Sequence, residues 1–167
     1  MAFDAFLKID GVDGESTDEK HPKWIEVLSY SHGMNQPPSS TRSSTGSASS
    51  GRVNMQDLSV VKHLDSATPK LSVACCTGQH FPNVKLEIWR ATQDGGKVKY
   101  MEYKMNNVLV SSVRPGGSSQ GGDDVPLEEV GFNFGKIEWT YTHTDRKTGA
   151  GAGNISGGWD LELNKKI

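Results

Sequence analysis

The sequence predicts a mainly β fold: a small closed or nearly closed antiparallel β-barrel with one short α-helix and long Ser/Gly-rich loops. Three observations carry this expectation. Apolar and polar residues alternate with a period of two in one segment after another, which is the pattern of strands with one face in a core. A single stretch, LDSATPKLSVACCTG, has the start and stop signals of a helix. Clusters of Gly, Ser, Asp and Pro separate the alternating segments and supply turns. About eight strands and one short helix suit a barrel, in which neighbouring strands satisfy each other's edges.

The 167 residues suffice for one domain, 1–167, with a core that needs no staples. The hydrophobic share is low, 34%, partly because of 19 glycines and a long serine-rich run. A net charge of −2 leaves no electrostatic footprint for nucleic acid or an anionic membrane. No apolar run approaches the roughly 18 residues of a membrane span, so no membrane insertion is expected. MAFDAFLKID is too short and acidic for a signal peptide, which places folding in the cytoplasm before any signal-independent export. The two cysteines, Cys75 and Cys76, are adjacent and read as buried reduced thiols rather than a disulfide or a metal site.

Along the chain, Phe3, Ala5, Leu7 and Ile9 alternate with Asp4, Phe6 and Lys8 in a first strand. Trp24 to Met34 reads as a second. The tract QPPSSTRSSTGSASSGR follows, and its residues 37–51 form an extended loop, since such composition buries almost nothing. Strands resume over Val53 to Lys62. The helix has Thr68 as its N-cap, Pro69 at its first position and Gly78 as the left-handed stop. Val84, Leu86 and Ile88 define the next strand, and the DGG turn leads into Val98 to Val113. That segment is about sixteen residues long and would reach about 50 Å at about 3.3 Å per residue.

Its first half alternates, with Met101, Tyr103 and Met105 opposite Glu102, Lys104 and Asn106, whereas Val108, Leu109 and Val110 make both faces apolar. Some cover must lie over that second half, either a docked helix or another subunit. Farther on, Phe132 and Phe134 share one parity while Ile137, Trp139 and Tyr141 share the other, as a β-bulge at Gly135 would produce. A last strand places Trp159, Leu161 and Leu163 on one face.

Signals for chemistry are weak. His21, His32, His63, His80 and His143 have no metal-binding spacing, and no nucleophile elbow is present. GAGAGN, Gly149 to Asn154, precedes a strand and so reads as a turn rather than a phosphate loop. Asp123, Asp124, Glu128 and Glu129 read as solvated carboxylates around a Pro126 turn. No cofactor, metal or catalytic residue is therefore expected, and a hydrolase would rest on scattered Ser, His and Asp alone. Trp89 and Tyr100, on the polar parity of their strands, admit two readings: a carbohydrate-binding barrel or a subunit interface.

Several segments together resemble one family. VNMQDLSVVKHLDSATPKLSVACCTGQHFPNVKLEIWRA and VLVSSVRPGG, with MAFDAFLKIDGVDGES and WIEVLSYSHGMNQP, are similar to the haemolysin-coregulated protein (Hcp) family of bacterial type VI secretion systems. The resemblance spans about Ala2 to Leu163. It implies a structural, non-enzymatic protein: a homohexameric ring that stacks into the inner tube of a contractile machine and meets its spike and sheath proteins. It further implies export by sheath contraction, with effector proteins bound in the ring lumen. Ser31 and Ser112 correspond to lumen positions that contact effectors; the other reading of both is a hydroxyl satisfied within the sheet. Val108 and Val110, with Ser39, Arg42, Gly46 and Gly51 of the loop, correspond to subunit contacts.

Overall fold

A computed structural model of the chain describes residues 3–37, 51–120, 122, 125–147 and 151–167. The elements in order are β1 (Asp4–Ile9), β2 (Ile25–Val27), β3 (Ser29–Ser31), β4 (Met34–Asn35), β5 (Asn54–Met55), β6 (Leu58–His63), α1 (Thr68–Thr77), β7 (His80–Ala91), β8 (Lys97–Gly116), β9 (Leu127–Thr144), β10 (Gly151–Asp160) and β11 (Lys165–Lys166). β4 and β5 form a two-stranded sheet of their own, and the remaining strands make one sheet.

The mainly β expectation is met, with α1 as the helix among the described residues. The closed barrel is not: the sheet path β11-β10-β9-β8-β7-β1-β2 ends at β2, while β6 pairs with β9 beside it and β3 pairs with β6. The physical reason lies at Leu28. The strand expected over Trp24 to Met34 is broken there, because β2 pairs with β1 and one residue later the chain joins β6. The Leu28 N–H already donates to the Val61 carbonyl at 2.8 Å. β9 forks in turn, pairing with β6 along Leu127 to Phe132 and with β10 along Lys136 to Thr144.

β7, β8 and β9 dominate the sheet at 12, 20 and 18 residues. The rows Val84–Met105–Ile137 and Phe81–Val108–Phe134 cross all three strands and are both buried. Along each strand these rows lie three residues apart, an odd spacing that would put them on opposite faces of a regular strand. Each strand therefore carries one extra residue at the same level, and the pairing runs through it without a register shift. Pro82, Asn107 and Gly135 occupy that level. Pro has no ladder N–H to lose, Asn107 sits at φ 52°, and Gly135 has no Cβ. A Cβ on Gly135 would lie 2.6 Å from the Glu162 carboxylate, which accepts a hydrogen bond from Asn107 Nδ2 at 2.5 Å. The bulge expected at Gly135 is thus a parity change shared by three strands.

α1 packs on β8 with Leu71 and Ala74 buried, and Gly78 ends it at φ 68°. Its N-cap is Ala67, not Thr68. The Asp65 carboxylate accepts the Ala67 N–H at 3.0 Å, which frees the Thr68 hydroxyl to donate to Glu128 at 2.9 Å. Glu128 is 1% exposed, contrary to the solvated reading, because Lys62 lies directly opposite on β6 and is itself fully buried. The Lys62 ammonium donates to Glu128, to Asp65 at 2.8 Å and to the His63 carbonyl at 3.0 Å. Of the two free thiols, Cys75 is half-buried and Cys76 exposed, so burial applies to neither in full: α1 turns Cys76 away from the sheet. Gly151 to Asn154, expected as a turn, starts β10 opposite Thr142 and Thr144, whereas Leu161 and Leu163 follow the strand in a turn. Asp123 and Asp124 lie outside the described residues.

Two outcomes follow for stability. Lys62→Ala leaves the Glu128 carboxylate buried and unpaired, and should cost about 3–5 kcal/mol in urea unfolding. Val108→Asp places an unpaired charge at a fully buried core position, and should unfold the chain, read as loss of near-ultraviolet circular dichroism.

Candidate functional site

The register aligns one transverse row over four strands. Ser31 on β3 faces Ser59 on β6, Ser59 faces Gly131 on β9, and Gly131 faces Ser112 on β8. Residues directly opposite in an antiparallel ladder share a face, so Ser31 and Ser112 lie on one surface about 14 Å apart, three spacings of about 4.8 Å. The face beneath them is the core, lined in the adjacent rows by Leu58, Phe132, Val110, Val60 and Val130.

Close packing explains the glycine in this row. A Cβ on Gly131 would meet Ser112 Oγ at 2.6 Å and Ser111 Oγ at 3.0 Å. The crowding arises where a register shift between Val110 and Ser112 gives β8 an extra residue. Asp57, the aspartate of the D-L-S segment, ties the strands on the same side. It accepts from the Ser111 hydroxyl at 2.6 Å and from Asn133 Nδ2 at 3.0 Å. The sequence names the two outer serines of this row but not Ser59, Gly131 or Asp57, although the D-L-S segment contains Asp57 and Ser59.

His32, next to Ser31, packs on the rings of Tyr103, Phe134 and Trp139, with centroids 6.0, 5.8 and 6.2 Å away. Burial lowers its pKa against an upward pull from the Gln56 main chain, so the imidazole is neutral near pH 7. An uncharged anchor thus holds the end of the serine row against the aromatic side of the sheet.

The interface residues fare differently. Val108 and Val110 are 0% and 1% exposed within the single chain, so they belong to its own core and are not surface contacts. Their cover is α1 and the neighbouring strands, the other source of burial considered for this segment. Gly51 is placed beside Pro37, and its carbonyl accepts from the Gln36 side chain, so the two ends of the serine tract meet. Ser39, Arg42 and Gly46 lie outside the described residues.

Comparison with known proteins identifies the family. The family "Type VI secretion system effector, Hcp" matches residues 6–141. The chain belongs to the Hcp family. It is 40% identical to Protein hcp1 of Pseudomonas aeruginosa over 164 residues, 98% of either chain. The solved structure of a type six secretion system protein superposes with a TM-score of 0.90 at 40% identity, covering 99% of this chain and 100% of the other. Hcp1 from Salmonella typhimurium superposes at 0.77 with 31% identity over 100% of both chains. Hcp is a family of secreted type VI proteins and not a known enzyme family. No described helix is long and apolar enough to cross a membrane.

Within this Hcp chain, the aromatics that suggested sugar binding are already engaged. Trp89 Nε1 donates to Glu87 at 2.9 Å, and the Lys20 ammonium sits 4.9 Å from the ring centre. Tyr100 faces the Arg90 guanidinium at 5.5 Å. Beside Trp89, His21 is 3% exposed and stacks on Phe6 at 4.2 Å. Its ring nitrogens reach Asp18 at 2.7 Å and Glu87 at 2.9 Å, which fastens the segment after β1 to the outer side of β7. Burial raises the Glu87 pKa, but hydrogen bonds from His21 and Trp89 and the nearby Lys99 charge outweigh it, leaving the carboxyl below its ordinary value. The Asp18 pKa is also lowered, chiefly by its bond to His21.

A depressed carboxyl pKa stabilises the fold above the unfolded value near 4 and loses that effect as pH falls through the folded value. The melting temperature should therefore drop as pH falls below about 4, and Glu87→Gln should flatten that decline in scanning calorimetry.

Proposed function

We propose that this chain is the tube subunit of a type VI secretion system. Six copies assemble into a ring, rings stack into the inner tube, and the face carrying Ser31, Ser59, Gly131 and Ser112 lines the lumen. The observation that carries the lumen assignment is that row of small side chains over a rigid apolar core. Varied cargo is best tolerated by a surface without protruding groups, because each bulky or unpaired polar side chain would exclude some partner. Small effector proteins are held there until delivery.

In this reading the subunit folds in the cytoplasm and leaves through the machine when the sheath contracts. Spike and sheath proteins are its other partners. The domain spans 1–167, and the tract over 37–51, with Ser39, Arg42, Gly46 and Gly51, reaches a neighbouring subunit or ring. The β4–β5 pair supports this role by holding the base of the tract together.

Negative-stain microscopy of the pure protein should show rings with an open centre, and a monomer at high concentration would sink the tube reading. Ser31→Gln combined with Ser112→Gln should leave rings intact and reduce co-purifying effector by about tenfold or more, since bulk at two positions blocks the shared face. Intact rings with undiminished cargo would remove the row from the lumen.

A further inference from the structure

The outer side of the sheet carries a second transverse row of opposite chemistry. Lys8 on β1 faces Lys85 on β7, and Lys85 faces Lys104 on β8. Like charges directly opposite on neighbouring strands repel, so three in line oppose folding and call for a counter-charge. The chain supplies it only in part: Glu138 stands opposite Lys104 on β9 but outside ion-pair distance. Lys85 reaches Glu87 at 3.8 Å, and that carboxylate already serves His21, Trp89 and Lys99. Lys8 lies over the Trp24 ring at 5.7 Å, and no described carboxylate lies within ion-pair distance of Lys8 or Lys104. The three lysines, Asn83 and Asp10 line an open depression of about 250 Å³.

We propose that this lysine row is a docking site for a short acidic segment of a partner protein. The row is about 10 Å long, two spacings of about 4.8 Å. Carboxylates on one face of a helix recur about every 5–6 Å and match that spacing. A long polyphosphate chain fits less well. Glu87 and Glu102 form the adjacent row, Glu138 continues the lysine row on β9, and Asp10 stands at its rim, so negative groups bound the site. The net charge of −2 disfavours a polyanion beyond the row. The occupant is therefore compact, acidic and peptidic.

The test uses a fluorescein-labelled helical peptide with Glu at i, i+4 and i+8, followed by anisotropy at low salt. Binding to the wild-type protein should weaken about tenfold in Lys85→Gln/Lys104→Gln and change less than about twofold in the charge-matched Lys147→Gln/Lys165→Gln, as specific rather than diffuse attraction requires. The row variant should melt at or above the wild-type temperature, because it relieves repulsion. Equal weakening in the control pair would overturn the proposal, as would a lower melting temperature in the row variant. A single-stranded oligonucleotide of equal charge binding more tightly through the same lysines would also overturn it. So would loss of self-association in the row variant alone, which would assign the lysines to contacts between copies; the tube reading stands or falls separately on ring formation.

Discussion

The architecture depends on keeping three unusually long strands in register while their apolar side chains stay in one core. A strand alternates strictly, so any sequence that breaks alternation must break the pairing or be matched by its neighbours. Here the neighbours match it. Pro82, Asn107 and Gly135 absorb one extra residue per strand at a common level, and the pairing on either side is undisturbed. Glu162 and Asn107 close the gap that the missing Gly135 side chain leaves. Without that shared adjustment, either Val108 and Phe134 or Met105 and Ile137 would face water.

Among the described residues, charges are buried at two places, and both attach connecting segments to this sheet. Lys62, Glu128 and Thr68 bind the start of α1 to β6 and β9. Asp18, His21 and Glu87 bind the segment after β1 to β7. Apolar contacts alone tolerate many arrangements of similar energy, whereas a buried charge accepts only the geometry that pairs it. These groups thus specify where the covering segments sit more than they add to net stability.

The same sheet then offers two polar surfaces of different character. A row of small residues crosses β3, β6, β9 and β8, and a row of lysines crosses β1, β7 and β8. One is a row of small uncharged groups with the Asp57 carboxylate beside it, held by Ser111 and Asn133. The other is charged and bounded by carboxylates, fitted to selection. Because the core side is filled by aliphatic and aromatic side chains, neither surface can shift without repacking the interior.

Much was legible in the sequence because it depends on local pattern. Alternation marked the strands, Pro69 and Gly78 bracketed the helix, and the family emerged from segments such as D-L-S and V-L-V-S-S-V in order. Ser31 and Ser112 could be named singly. That they share a row with Ser59 and Gly131 was not legible, because register between strands far apart in sequence is a property of the assembled sheet. The same holds for Glu128, whose burial requires Lys62 opposite it, and for Trp89, whose ring is taken by Lys20. Local chemistry in the chain determined which segments are strands and which family they belong to. Only the tertiary structure decided that Val108 and Val110 lie in the chain's own core, because apolar residues alone do not say whether their cover is a helix or a neighbour.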